Sequence, residues 1–498
     1  MSPGRFDALF EPRGVIVAGA STHPGKFGFV ALHNILSCGY EGEVYATNRD
    51  GSEVLGVRTV EAVEELPDGC ADLVFVCTPA AANVELLRAC AAKGVTAAFV
   101  TSAGYGEAGE EGRQAQEELV EVAASLGILL VGPNGQGVIC TPASLCAQIV
   151  APYPPPGHIG VASQSGNFVS SFMNLAQLGG VGVSRAVSAG NSAAVGVVDF
   201  LEHYADDPET AVGLTYVEGM DDARAFFDRV RPVAERMPVV LVKGGATPGG
   251  QRAAASHTGS LATDDRVFAG ACRQSGVTRA ANIEEAFDAA ATFATQPLPN
   301  GPRVAVLTTA GGWGVVTADA LAATDLELLA LPDDLRAAID EHVPPRWSRN
   351  NPIDLAGGET RDTVPDLMEV VAGHPEVDAV IFLGLGIQSN QGRLEREGPF
   401  FPEHGLERIV RYHDRQDERF AEAAASASDA TGKPVLVATE LAVADPANAG
   451  PAAVRASGRL CYPSAHRAVT ALEHLWRYAR FRQRRDLPGG EVAHPGRQ

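Results

Sequence analysis

The 498-residue chain is short of lysine. Only Lys26, Lys93, Lys243 and Lys433 occur, and arginine is its ordinary base. Arginine and lysine do not substitute for one another at an anion site, so Lys26 and Lys243, both beside glycines, stand out. Positive charge is scarce overall. A net charge of -22 opposes nucleic acid and anionic membrane as partners, and any anionic ligand must be held by local donors against an unfavourable field. The eight cysteines form no CxxC and no Cys/His ligand spacing. This excludes structural zinc and a disulfide framework and points to a reducing compartment, with Cys77 and Cys90 as small thiols in apolar segments. No apolar run approaches the roughly 20 residues needed to cross a bilayer. The first ten residues lack the apolar stretch of a signal peptide. A cytoplasmic protein without a metal site of its own is expected.

The composition present is that of a globular protein, 45% hydrophobic and 20% charged, with length for about three domains. Residues 14–140 alternate apolar runs (Val15–Ala18, Val44–Thr47, Leu73–Cys77, Ala97–Thr101, Ile128–Val131) with helical stretches. This predicts a doubly wound parallel sheet that binds ligands at the carboxyl ends of its strands. Those ends carry Gly19-Ala20-Ser21 through Lys26, then Asn48, Thr78-Pro79, Ser102-Ala103-Gly104 and Gly132-Pro133-Asn134. A nucleotide-bearing ligand fits this edge. The first turn lacks G-x-G-x-x-G, and Asn48 stands where an acidic residue would close the second strand, so NAD is disfavoured.

Pro152–Gly157 reads as a stiff linker and a domain boundary. Beyond it, strand His158–Ala162 feeds Ser163-Gln164-Ser165-Gly166 and a helix from Asn167 to about Leu178. A hydroxyl-rich turn at a helix N-terminus aims free N–H groups and the helix dipole at an anion, which makes phosphate the expected ligand. Ser163 or Ser165 acting simply as a helix cap fits the same pattern. A serine hydrolase is disfavoured because Val161 and Ser163 stand where G-x-S-x-G needs glycine. Further on, Lys243-Gly244-Gly245 through Gly250 leads to Ser256-His257-Thr258-Gly259-Ser260-Leu261-Ala262, just before a helix expected near Thr263–Asp265. Neutral imidazole is a good nucleophile near pH 7, so His257 in a glycine-rich loop suits group transfer. After a second boundary near 296–302, the pattern repeats. Strand Arg303–Leu307, the turn Thr308–Gly314 and a helix through Leu321 predict a second domain of the same topology, carrying Asn351-Pro352-Ile353-Asp354 and strand Ala379–Leu383. Residues 391–430 read as a solvated helix, and the tail, 483–498, as disordered.

In order, Gly19-Ala20-Ser21 with Pro24-Gly25-Lys26, Gly132-Pro133-Asn134, Ser163-Gln164-Ser165-Gly166, Gly190-Asn191, Tyr216-Val217-Glu218-Gly219, Ser256-His257-Thr258-Gly259, Gly311-Gly312 and Asn351-Pro352-Ile353-Asp354 resemble the α subunit of ADP-forming acyl-CoA synthetases. These are the acetate–CoA ligase relatives of succinyl-CoA synthetase. The resemblance runs over residues 6–480. It implies an α/β chain with a Rossmann-like CoA-binding domain (1–150) followed by two flavodoxin-like doubly wound parallel-sheet domains (157–297 and 301–482). It implies coenzyme A at Gly19, Ser21, Lys26, Asn48, Pro79, Ser102 and Asn134. His257 is implied as the phosphorylated residue, with Glu218 fixing its tautomer. Phosphate is implied at Ser163, Gln164, Ser165, Gly166, Thr258 and Gly259, where helix N-termini after Gly166 and beside His257 would neutralise it, and Asn191 is implied in an acyl pocket.

The chain departs from the family pattern at Gly135, where relatives carry cysteine, at Ala194, where the acetate-type enzymes carry an acidic residue, and at Arg49-Asp50 in place of proline after Asn48. These departures leave the acid open, with acids other than acetate included. No ATP-grasp domain is recognisable, so a β subunit is expected to bring ATP/ADP and Mg, giving a hetero-oligomer acting on a small carboxylic acid. The alternative reading is a CoA-binding scaffold or regulatory protein without ligase activity.

Overall fold

The computed structural model describes residues 4–220, 222–247, 249–250, 252, 264–355, 357 and 361–487. Ser256–Ala262, with His257, Thr258 and Gly259, lie outside the described residues, as does the tail from 488 onward.

The first sheet starts with β1 (Gly14–Ala18) and β2 (Glu43–Thr47), followed by a small hairpin of β3 (Glu53–Val54) and β4 (Val57–Arg58). It is completed by β5 (Leu73–Val76), β6 (Ala97–Val100) and β7 (Leu129–Val131), in the order β2-β1-β5-β6-β7. Every pairing among these five is parallel. Strands covered on both faces need unbroken apolar sequence, and β1, β5 and β6 are buried at every position. Ile16, Ala18, Val74, Val76, Ala98 and Val100 turn to one core, under helices carrying Leu87 and Leu119. Val15, Val17, Leu73, Phe75, Ala97 and Phe99 turn to the other, as the two-residue period of a strand requires.

The second sheet comprises β8 (Gly137–Cys140), β9 (Leu145–Gln148), β10 (Pro156–Ser163), β11 (Val183–Ser188), β12 (Val212–Val217), β13 (Val239–Lys243) and β14 (Thr278–Ala280). Its order is β14-β13-β12-β10-β11-β8-β9. From β10 to β14 the strands are parallel in the 2-1-3-4-5 order of a flavodoxin. The hairpin β8–β9 adds antiparallel to β11. The chain leaves its first sheet before Gly137, and Val138, Cys140, Leu145 and Ala147 join the core that also holds Phe75 and Phe99. The proline-rich segment lies between strands of one sheet, and the described residues of 4–177 with those of 182–286 form one compact unit.

The second unit, the described residues of 178–181 and 287–487, holds β15 (Arg303–Thr308), β16 (Glu327–Leu328), β17 (Ile353–Asp354), β18 (Ala379–Leu383), β19 (Val435–Ala438) and β20 (Cys461–Tyr462). The order β16-β15-β18-β19-β20 repeats 2-1-3-4-5. Strand β17 pairs with the C-terminal half of β15. Asn351 fills the junction: its Oδ1 accepts from Val306 N at 2.9 Å and its Nδ2 donates to the carbonyls of Val304 and Leu329. The expected solvated helix at 391–430 is instead two helices, Ile387–Glu397 and Leu406–Thr431. The longer one buries Val410, Phe420, Ala421, Ala424 and Ala427, and its fully buried Asp417 accepts from the N–H groups of Gly386 and Ser389. The last helix, Ala465–Gln483, ends where the tail was expected to begin.

Candidate active site

The carboxyl edge of the first sheet is a series of tight turns. Gly19 takes φ +83, and a Cβ on Gly28 would lie 2.1 Å from Gly19 O, so glycine lets the helix Phe27–Ser37 close onto the first turn. Lys26 is exposed at the N-terminal end of that helix. Ser21 Oγ accepts from His23 N at 3.1 Å. Asn48 ties two loops together, its Nδ2 donating to Ala20 O at 2.9 Å while Oδ1 accepts from Asp50 N. Pro79 is exposed. Ser102 Oγ donates to Thr78 O at 2.5 Å and accepts from Asn83 Nδ2 at 3.2 Å. Asn83, fully buried and also bonded to Thr78 and Tyr105, holds this edge from beneath. It was missed in the sequence because an asparagine at a helix start reads as a cap. Lys26, Pro79 and Asn134 thus face solvent, whereas the Asn48 and Ser102 side chains shape the loops.

In the second sheet, Ser163 ends β10 fully buried. Its Oγ donates to Ser165 O at 2.7 Å and accepts from Ser165 N at 3.1 Å, folding the turn that opens the helix Gly166–Gly179. Gln164 bridges to the neighbouring strand end. Its Oε1 accepts from Glu218 N at 2.6 Å and Gly219 N at 3.3 Å, and its Nε2 donates to Gly219 O at 3.1 Å. The first amides of the helix and the Glu218 carboxylate are therefore carried on one hydrogen-bonded frame, at the point where the strand order reverses, the usual ligand crevice of such sheets. Tyr216 donates its hydroxyl to Glu218. Burial first, then the Glu218 charge, pushes the phenol well above its ordinary range. A Cβ on Gly244 would meet Tyr216 Oη at 2.6 Å, so the glycine stretch leaves β13 directly over this pair. Ser188, the register partner of Ser163, is fully buried, and its hydroxyl has no hydrogen-bond partner among the described residues. In-register neighbours share a face, so Ser188 is a donor beside the turn that sequence reading missed.

Lys243 lies below the glycine stretch. Its Nζ is 3.8 Å from Asp265 and 5.3 Å from the centre of the Phe268 ring. Burial lowers its pKa, against the pull of Asp265. The helix expected next to His257 begins at Asp265, but its N-terminus is not open to an anion. Asp264 Oδ1 already accepts from Arg266 N at 2.8 Å and Val267 N at 3.3 Å, and Asp265 adds a second negative charge in the first turn. That expectation is corrected: an acidic cap has taken up the donors.

Asn191 sits where the first and second sheets meet. Gly190 takes φ +55, with Asn191 N donating to Pro133 O at 2.9 Å, and Asn134 Nδ2 reaches Asn191 Oδ1 at 3.4 Å. A Cβ at Gly135 would lie 2.6 Å from the Phe99 ring and 2.8 Å from Ser188 O, which accounts for glycine there. The third sheet repeats the second turn. Thr308 Oγ1 donates to Ala310 O at 2.9 Å and accepts from Ala310 N at 3.0 Å, before the helix Gly311–Ala322.

Three family models match along the chain: a CoA binding domain over residues 13–141, a succinyl-CoA ligase like flavodoxin domain over 156–293 and a ligase-CoA domain over 304–386. The chain is similar to the acetate–CoA ligase [ADP-forming] I subunit alpha of Pyrococcus furiosus, with 37% identity over 382 residues, 76% of this chain and 82% of the relative. The chain belongs to the ADP-forming acetate–CoA ligase α-subunit family. Another family member, the acetate–CoA ligase [ADP-forming] I of Archaeoglobus fulgidus, is 36% identical over 76% of this chain, which spans 54% of that relative. Among solved structures, the Candidatus Korarchaeum cryptofilum dinucleotide forming acetyl-coenzyme A synthetase 1, in complex with phosphate and ADP, superposes with a TM-score of 0.81. It is 31% identical, over 96% of this chain and 97% of that chain. The family's α/β plan, with a CoA-binding first domain, is that of the sheets described above. Among the described residues, no helix is long and apolar enough to cross a membrane, and no group of three or more His, Cys, Asp or Glu residues could hold a metal ion.

Proposed function

We propose that this chain is the α component of a nucleoside-diphosphate-forming acyl-CoA synthetase, in which a carboxylic acid, CoA and ATP give acyl-CoA, ADP and phosphate, reversibly. In the direction of thioester synthesis, a ring nitrogen of His257 takes the γ-phosphoryl group of ATP and ADP leaves. A carboxylate oxygen of the acid then takes that phosphoryl group from the imidazole, giving an acyl phosphate. The CoA thiolate attacks the acyl carbon, the C–O bond to phosphate breaks, and phosphate leaves. Glu218 accepts a hydrogen bond from the protonated ring nitrogen of His257 and fixes the tautomer, so that the other nitrogen stays nucleophilic. The first amides of the helix at Gly166 receive the phosphate oxygens, where fixed donors in a partly water-excluded turn stabilise developing charge.

The observation that carries this reading is the Gln164 bridge, which holds Glu218 and the Ser163–Gly166 turn on one frame. The residues also suit the substrates. The buried Ser188 hydroxyl is a donor available to phosphate, and the glycine-lined first turn with exposed Lys26 suits the diphosphate of CoA. The nucleotide and its Mg are assigned to a β subunit with an ATP-grasp fold, in a cytoplasmic hetero-oligomer. The subunit name of the Pyrococcus relative and the greater length of the Archaeoglobus relative support a separate partner subunit.

The chain alone, given a panel of acyl-CoA thioesters, is expected to release CoA thiol only when inorganic phosphate is present. Absence of phosphate-dependent release with every thioester, with and without a co-purified ATP-grasp polypeptide, overturns the reading. CoA binding indifferent to His257→Ala in that case identifies a scaffold.

A further inference from the structure

Asn191 was singled out as an acyl-pocket residue, yet its side chain is held by two residues of the first domain. Its Nδ2 donates to Glu107 Oε2 at 2.5 Å and to Gln116 Oε1 at 2.9 Å. Both acceptors are themselves pinned. Glu107 Oε1 accepts from Gly104 N at 2.6 Å and Tyr105 N at 3.2 Å, and Gln116 Oε1 accepts from Gly106 N at 3.2 Å. Gly104 follows β6 in the loop Ser102–Gly104, on the edge assigned to CoA. Burial alone would raise the Glu107 carboxyl. The hydrogen bonds from Asn191 and from the loop amides outweigh it and hold the carboxyl below its ordinary value, so Glu107 is a carboxylate near neutral pH.

A carboxylate can only accept, so the atom of Asn191 facing Glu107 must be the amide nitrogen. The amide cannot flip without placing its oxygen against the Glu107 carboxylate and against an oxygen of Gln116 that Gly106 already holds. Both amide protons of Asn191 are therefore occupied, and its Oδ1 is left facing the side of Asn134, whose Nδ2 reaches it only at 3.4 Å. A carbonyl oxygen has two lone pairs, which leaves acceptor capacity at that point.

We infer that Glu107 and Gln116 are positioning residues that fix the Asn191 amide with its oxygen toward the acyl site, so that this site favours acids whose acyl chain carries a hydrogen-bond donor, the hydroxy acids, over unsubstituted acids of equal length. The inference rests on the proposed ligase reading and on Asn191 lying in the acyl pocket. With its protons taken, Asn191 cannot hold the reacting carboxylate. A glutamine in place of Glu107 offers either an acceptor or a donor, so the Asn191 amide then takes both orientations and the preference disappears. The same contacts join the loop after β6 to the loop after β11, so the acyl selector is set by the CoA-binding domain.

The test measures kcat/KM for pairs of acids of equal length, with and without a hydroxyl, using the full chain with its ATP-grasp partner. One hydrogen bond corresponds to about fivefold. The wild type is expected to favour one hydroxy acid by at least that factor, and Glu107→Gln to bring the ratio to about one, by raising the KM for the hydroxy acid. A ratio unchanged in both Glu107→Gln and Gln116→Ala, or a wild type without preference across chain lengths, overturns the inference while leaving the ligase reading intact. Failure of every acid in the wild type instead strikes at the ligase reading itself.

Discussion

Gln164 shows how much one side chain can organise. It makes three hydrogen bonds to the backbone of Glu218 and Gly219, 54 and 55 residues further along. Its truncation leaves two N–H groups and a carbonyl without those partners. Gln164→Ala is expected to lower stability by about 1–3 kcal/mol, seen as a modest fall in Tm. It is expected to lower the rate of phosphate-dependent thiol release by about tenfold or more, because the Glu218 loop loses its register with the turn. A full loss of stability with unchanged rate per folded molecule contradicts that role. The sequence exposed Ser163 and Ser165 readily, since hydroxyls before a helix form a local pattern. The partners of Gln164, and the burial of Ser188 beside the turn, come from strands brought side by side by the sheet order, and no spacing along the chain encodes them.

At the scale of elements, the strands were readable and their allegiance was not. Parallel strands buried on both faces must be runs of Val, Ile, Leu, Ala and Phe, so β18 was predicted with the bounds the structure gives it. The hairpin β8–β9 carries an equally apolar sequence, and nothing local distinguishes a sixth strand of one sheet from an edge hairpin of the next. The long helix Leu406–Thr431 misled for the opposite reason. Its exposed face is densely charged, and its buried face mixes Val410 and Phe420 with alanines and the polar Gln416, Asp417 and Ser428, so it scores as weakly apolar. Element contacts also decide the CoA edge. A Cβ at position 28 would sit 2.1 Å from Gly19 O and 2.9 Å from Ala20 Cα, both backbone, so the helix must retreat. Gly28→Ala is expected to cost about 1–3 kcal/mol of stability and to weaken CoA binding by about tenfold or more, measured by calorimetry on the folded protein. CoA affinity equal to wild type separates the first turn from CoA recognition.

The described residues fall into two compact units, along which three family models match in succession. Core residues from the first sheet, the hairpin and the second sheet form one apolar cluster, from Phe75 and Phe99 through Val138 to Val187. The matching openings in the sequence did reveal two sheets of one doubly wound topology, because a repeated topology repeats its turns. At this scale a relay through His257 is the claim on which the account depends, and detecting the phosphorylated residue tests it most directly. Incubation of the chain with radiolabelled inorganic phosphate and an acyl-CoA it cleaves is expected to give an acid-labile, base-stable label. Mass spectrometry should map it to the peptide containing Ser256–Ala262, and His257→Ala should lack it. A label that persists in His257→Ala, or none in the wild type with and without the ATP-grasp chain, contradicts the account.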